Sequence, residues 1–504
     1  MFGIEFEAPS HGIATASSRA DVACFIGFTR RRAMPVPVEL WAWLREWGWR
    51  AAEPNRVAGD VYRATDSLEH TPVPIERYDT FAALFETTRA SDDPHLTWLA
   101  AAVRSFFAQG GARCFVVRVG DSWRAEDATD RAAKLAVLLQ TNSHLIAPAP
   151  TDRSQWLGVR VLHGLDGAAF VCLPDLPELV ADARLEVEPF PEPPAEEVFV
   201  ECDVDRGPAT SVAPPGVAMP ACTEAGYSEW FRCVHAVGQF VASQRKDVQL
   251  LAAVPQPATA LHGNLARLLE TAATRQGFAL AGDLDSAEGI ASEFVQLVWP
   301  WLATPGAEEL PGRAEPADGA LAGVAARTAI AQGAHRSLGR QPLRESPRFI
   351  PIAAGVDLDL ANDHALINRV TLLGPSPSGP RVLSDQTSAL ENLARPASIR
   401  RLTAAIRRAA KNLGGSIAFE PSGPALWREV RRQLEALMRD FFHAGALRGE
   451  TPDAAFEVRC DETTMTQTDR DNGCLLATVK FAPAVPVGLI TVRLALRDSG
   501  PTET

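Results

Sequence analysis

No two cysteines of this chain stand two residues apart: the eight occur singly at 24, 114, 172, 202, 222, 233, 460 and 474, several inside apolar runs. That spacing excludes zinc and redox motifs built on CxxC and reads as buried, reduced thiols. No uninterrupted apolar run approaches the ~20 residues that a bilayer span needs. The opening Met1-Phe2-Gly3-Ile4-Glu5-Phe6-Glu7 lacks the basic start and apolar centre of a signal peptide. Assembly in the cytoplasm, without membrane insertion, is the expectation.

Catalytic signatures are missing as well. There is no GxSxG elbow, no Walker loop, no HExxH and no Rossmann glycine triplet. The ten histidines are scattered, and the one local arrangement, His262-Gly263-Asn264, reads as a loop or cap. Asp461-Glu462 and Asp469 to Asp471 imitate paired carboxylates, but beside Gly473 they suit a polar turn equally well. No catalytic residue, metal ligand or cofactor is expected. Because triads assemble from distant residues, a monomeric α/β hydrolase stays as a rival from another class.

What is present is a chain of 504 residues, enough for about three domains at ~150 residues each. Hydrophobic residues at 46% and charged residues at 22% argue against a disordered chain or a coiled coil. A formal charge of −13 argues against a general affinity for nucleic acid or anionic lipid. The charge is uneven: residues 396–450 hold ten Arg or Lys and five Asp or Glu, a local +5 that leaves −18 on the remainder.

Along the chain, Phe2, Ile4 and Phe6 alternate with Glu5 and Glu7 as a short strand that needs a partner edge. Asp21 to Thr29 reads as a fully buried strand. Residues 30–70 form a less regular stretch with tryptophans at 41, 43, 47 and 49; helical placement puts Leu40, Trp43, Leu44 and Trp47 on one side, as a local core or an aromatic platform. Leu96, Leu99, Val103, Phe106 and Phe107 stripe a helix that Gly110-Gly111 stops before the strand Cys114 to Val119. Ala168 to Pro174, a helix around Glu229–Ser243, Val248 to Pro255 and Phe294 to Trp301 continue the alternation, which predicts an α/β fold with a parallel sheet under helices. A boundary is expected near 340–350. Beyond it, Ile399, Leu402, Ile406, Ala410 and Leu413 stripe one helix, a short strand is expected at Ser416–Phe419, and Leu426, Trp427, Val430, Leu434, Leu437, Met438 and Phe441 stripe a second helix begun by Pro424. Ile490, Val492, Leu494 and Leu496 alternate as a last half-buried strand.

Several segments resemble the contractile phage tail sheath family, in that family's order. They are Val22 to Thr29; Leu99 to Gly111 with Cys114 to Gly120; Trp299-Pro300-Trp301; Asp318 to Thr328; Ser398 to Leu402; Phe419 to Ser422; Gly445 to Gly449; and the closing string from Ala455-Phe456-Glu457-Val458-Arg459 through Asp469 and Gly473 to Ala482-Pro483-Ala484-Val485-Pro486. The sequence departs from the family at its start, in residues 30–70, at Val382 to Thr387 and at Gly488.

The resemblance implies an α/β sheath body, subtilisin-like in the family, with a C-terminal α+β inner module and exchanged strand arms. On this sequence that gives an N-terminal arm 1–20, a body 21–345 with insertions at about 30–70 and 180–225, an inner module 346–486 and a C-terminal arm 487–504. It implies a non-enzymatic subunit that polymerises around an inner tube and contracts to drive it through a target envelope; a specialised ring subunit near baseplate or cap is the alternative. The implied partners are further copies in a helical homo-oligomer, the inner tube protein, baseplate and cap proteins and other sheath paralogues, in a phage tail or phage-tail-like particle released by lysis. Phe2, Ile4, Phe6, Ile490, Val492, Leu494 and Leu496 become the arm residues that reach neighbours. Arg400, Arg407, Arg408, Lys411, Arg431 and Arg432 become candidates to face an acidic tube, with a solvated helix face or acidic neighbouring subunits as alternatives.

Overall fold

A computed structural model describes residues 19–49, 67–125, 127, 129–140, 155–186, 217–258, 290–353, 355–358, 365–392, 394–417, 423–471, 474–484 and 490–496. Phe2, Ile4, Phe6 and the segment His262-Gly263-Asn264 lie outside these residues.

The body is organised by one eight-stranded sheet: β1 (Ala23–Gly27), β2 (Val73–Ile75), β3 (Cys114–Arg118), β4 (Phe170–Cys172), β5 (Gln249–Ala253), β6 (Val295–Trp299), β7 (Val370–Gly374) and β8 (Arg381–Val382). Their spatial order is β8-β7-β6-β5-β4-β1-β3-β2. The six inner strands are parallel, and β2 and β8 close the edges antiparallel. Strands covered on both faces need apolar side chains at nearly every position, and β1, β3, β5 and β6 are buried throughout. This is why the sequence shows runs there rather than alternation.

Helices α1 (Val38–Glu46), α2 (Trp98–Ala108) and α4 (Asp318–Gln332) pack on one face, and α3 (Glu224–Gln244) on the other. Thr97 caps α2 by accepting the Ala100 N–H at 3.1 Å, and Gly110, at φ +98°, ends the helix as the Gly-Gly pair predicts. Where α2 crosses α4, Gly319 and Gly323 lie so close to the backbone of Ala102 and Phe106 that a Cβ at either would collide with it. In α1, Leu40 and Leu44 are buried as read, whereas Trp47 is 48% exposed and stacks on Trp43 at 5.8 Å.

Three expectations change. The helix expected at 229–243 starts at Glu224, where the Thr223 hydroxyl takes the Ala225 N–H at 3.2 Å. The large sheet continues beyond the expected boundary, because β7 extends the parallel array beside β6 and β8 then covers its edge. No strand begins at Ser416: helix α5 (Ala397–Ile417) runs through that position. Extending a formed helix gains a hydrogen bond per residue, whereas a four-residue strand without a partner gains none.

The C-terminal module has its own core, built from α5, α6 (Pro424–His443), β9 (Phe456–Arg459) and β10 (Leu475–Phe481), and β11 (Ile490–Leu496) completes an antiparallel sheet ordered β9-β10-β11. The α6 stripe Leu426, Trp427, Val430, Leu434, Met438 and Phe441 is buried as the 3.6-residue period predicts. In β10, Leu475, Ala477, Val479 and Phe481 are buried while Leu476, Thr478 and Lys480 are half-buried, the pattern of a sheet with one face on a core.

Candidate functional site

The C-terminal strand finds its partner within the chain. β11 pairs with β10 from Leu475 opposite Leu496 to Phe481 opposite Ile490, so Ile490, Val492, Leu494 and Leu496 stand in register with Phe481, Val479, Ala477 and Leu475. In the single chain the strand therefore folds back rather than reaching out, because β10 offers a hydrogen-bonding edge nearby. The alternation of residues 490–496 specifies a half-buried strand but not whose sheet it joins. β9 and β11 are the two edges of this sheet among the described residues, and such edges are templates for further strands.

The six basic residues separate into different environments. Arg400 is 1% exposed; its guanidinium lies 3.8 Å from the centre of the Phe294 ring, and Nη2 donates to the Lys246 carbonyl. Arg408 is 4% exposed and donates to the Asp247 carbonyl. Both were candidates to face a tube, and both instead face the body, where the sheet strands start. Helix α5 is apolar on the face toward α6 and basic on the face toward the body, so the arginines fill the seam between the two units. Arg407 is half-buried. Lys411 is exposed and pairs with Asp166 at 2.5 Å. On α6, Arg431 pairs with Glu435 at 2.8 Å and Arg432 with Glu429 at 2.5 Å, one turn away on the same helix. That face is largely charge-compensated by exposed, solvent-screened pairs that contribute little to stability.

The seam is also fixed by Arg401, a basic residue of α5 whose partner the sequence does not reveal. Arg401 forms a two-pronged ion pair with Asp385 at 3.0 and 2.6 Å, both side chains 4% exposed or less. Asp385 also accepts the Leu338 N–H at 2.8 Å and the Gln296 amide at 3.1 Å. Burial alone would push Asp385 up; the Arg401 charge and these hydrogen bonds outweigh it and hold the carboxyl below its ordinary value. Beside α5, Arg245 clasps Asp247 at 2.9 Å through both carboxylate oxygens and donates to the Leu162 and Leu165 carbonyls. Burial pushes Asp247 up too, but Arg245 wins and holds it near 2. Asp385 and Asp247 stand outside helices and strands and carry no periodic signal, so neither pair announces itself in the sequence.

At the opposite end of the sheet three carboxyls are buried. Glu315 accepts from Ser105 at 2.5 Å and Thr304 at 3.0 Å, Asp175 accepts the Phe28 N–H at 2.9 Å, and Asp318 stands in the first turn of α4. Burial pushes each up to about 7. They lie in packed interior, not in a cleft. Among the described residues no group of three or more His, Cys, Asp or Glu is placed to hold a metal ion. Burial pushes the Cys24 and Cys233 thiols up to about 12, as expected of unreactive core cysteines. A cavity of about 490 Å³ lies where body and module meet, lined by His335, Ser384, Asp385, Ile399, Leu402 and Ala446 among others. Its Asp385 is committed to Arg401, and no serine, histidine and carboxylate line up there as a nucleophile and its base. Asp461 accepts from Thr463 in a turn, whereas Asp469 lies in a short helix, Gln467–Asp471, and accepts from Thr466 just before it, all at 2.5–2.9 Å.

The fold is that of sheath and baseplate chains in contractile injection systems. A chain of the anti-feeding prophage baseplate in its contracted state matches with a TM-score of 0.58 and 18% identity, covering 98% of this chain and 97% of that one. A chain of the six-fold symmetrised anti-feeding prophage baseplate matches at 0.54 and 15%, covering 98% and 97%. A chain of an extracellular contractile injection system, the PVC sheath complex in its contracted state, matches at 0.52 and 14%, covering 96% and 94%. No protein-family model and no curated protein sequence matches the chain. At these identities the likeness establishes the fold, and it supports the tail-sheath resemblance carried by the sequence.

Proposed function

We propose that this chain is a structural sheath subunit, not an enzyme, which polymerises around an inner tube and contracts to drive that tube through a target envelope. The observation that carries the reading is the end-to-end likeness to sheath and baseplate chains, over 96–98% of this chain, body and C-terminal module together. The partners that follow are further copies, an inner tube protein and baseplate or cap proteins, within a phage tail or phage-tail-like particle. The terminal strands supply connectivity. β11 exchanges its own β10 for the same edge on a neighbour, and Phe2, Ile4 and Phe6 add to another, so subunits stay linked while they rotate. Of the candidate tube-facing residues, Lys411, Arg431 and Arg432 keep that role in the proposal; Arg407 shares the body-facing side of α5 with Arg400 and Arg408, whose burial removes them from it. A specialised ring subunit is the second reading, favoured because two of the matched structures are baseplates.

Electron microscopy of the purified protein, alone and with its tube protein, tests the reading. Ribbed hollow cylinders are expected of a main sheath subunit. Single rings that stop growing indicate the ring subunit, and monomers under every condition contradict both.

A further inference from the structure

The amino ends of β4, β5 and β6 carry more positive charge than the described residues balance. Arg245 takes both oxygens of Asp247, and Lys411 takes Asp166. That leaves Arg400, Arg407 and Arg408, spaced on one side of α5, with no ion-pair partner of their own among the described residues: Glu293 acts on Arg400 and Arg407, Asp247, already paired with Arg245, on all three, and Asp21, paired with Arg19, on Arg408. Each buried guanidinium has one bond to a backbone carbonyl, Arg400 to Lys246 and Arg408 to Asp247. Nε and Nη1 of Arg400, Nε of Arg407 and Nε of Arg408 are buried without an acceptor. Arg400 is 1% exposed, so these donors are not compensated by bulk water. A buried donor left unpaired is costly, more so on a charged group, and like charges on one helix face add to that. Arg407, half-buried, is the least enclosed of the three.

We propose that this seam is a carboxylate-binding socket, and that the carboxylate comes from a second copy of this chain. An oxyanion approaching past Arg407 meets guanidinium donors pre-set by packing, the arrangement that favours paired, planar recognition of a carboxylate. The chain itself is rich in the ligand, with −18 outside residues 396–450. Its exposed acids Asp130, Glu308 and Glu309 make no ion pair among the described residues and lie in loops at the carboxyl end of the same sheet, away from the socket. Contact between opposite ends of one fold leaves a free end of each sign on every copy. It therefore propagates into an open array instead of closing as a dimer. This inference rests on the reading of the chain as a polymerising subunit and names the contact that drives polymerisation.

The test is self-association of the full chain, without tube protein, measured by sedimentation at low and high salt for wild type, Arg407→Glu, Glu308→Lys/Glu309→Lys and the variant combining all three. Circular dichroism and melting temperature check that each variant is folded. Wild type is expected to associate more strongly at low salt, where charges are less screened. Each single-sided reversal is expected to raise the concentration needed about tenfold or more, and the combined variant to recover most of the loss. The proposal is overturned if the reversals leave association unchanged, if the combined variant shows no recovery, or if only tube-templated assembly responds to Arg407→Glu. Wild type that stays monomeric at every salt concentration without tube protein overturns the socket, while the sheath reading falls only if the chain stays monomeric with tube protein as well. Association that obeys the charge swap without forming cylinders upholds the socket and counts against the sheath reading alone.

Discussion

Asp175, Glu315 and Asp318 are each no more than 2% exposed, and burial raises all three to about 7. Between about pH 4 and pH 7 the folded chain keeps protons that the unfolded chain has released, so stability falls as pH rises through that window and levels off above it. Replacing Glu315 by Gln keeps an acceptor for Ser105 and Thr304 but removes the charge. Thermal melts should show Glu315→Gln stabilised at pH 8, by on the order of 1–3 kcal/mol, and little changed at pH 4; equal shifts at both pH values would refute the assignment. Asp247 and Asp385 act with the opposite sign. Their depressed values stabilise the fold above the unfolded carboxyl value, and that contribution is lost as pH falls, for Asp247 between about 4 and 2. Asp385→Ala leaves Arg401 buried and unpaired, and by the usual cost of breaking such a pair it should destabilise by about 3–5 kcal/mol in chemical denaturation. A loss below 1 kcal/mol would mean that the pair is not buried as described.

At the scale of elements, the crossing of α2 and α4 depends on the absence of a side chain at Gly319 and Gly323. Gly323→Val pushes against the Phe106 carbonyl and should lower stability by about 1–3 kcal/mol or more, since inserting atoms into a packed site forces backbone shifts. A melting temperature equal to wild type would show that the helices are free to separate. The same scale explains what was legible in the sequence. The α6 stripe and the runs in β1, β3, β5 and β6 were readable because burial imposes a period or a continuous apolar segment. The pair β7 and β8 was not, because a five-residue and a two-residue strand separated by Pro375, Ser376, Pro377, Ser378, Gly379 and Pro380 look like loop. Arg400 and Arg408 looked solvent-facing because a helix pattern shows which side is polar, not that Phe294 and the Lys246–Asp247 backbone pack against it. For β11 the sequence specifies one buried face, and both its own β10 and a neighbour's satisfy that requirement. Deleting residues 488–504 or residues 1–8 should therefore leave a folded body by circular dichroism while abolishing long assemblies. Normal cylinders from both deletions would rule out strand exchange as the source of connectivity.

For the whole molecule, body and module are joined through α5, which gives its apolar side to the module core and its basic side to the body. The ion pair Arg401–Asp385 and the contacts of Arg400 and Arg408 lie along one helix, so a force applied to the module reaches the body through buried, directional bonds. A subunit of this kind suits a machine whose parts move by changing neighbours, with small gains per subunit summed along a tube. The most direct test of that account is electron microscopy of the full chain incubated with its tube protein, comparing particle length and width before and after a contraction trigger such as mild denaturant. Cylinders that become shorter and wider are predicted. Particles that never form, or that keep one length and one diameter throughout, would contradict the account.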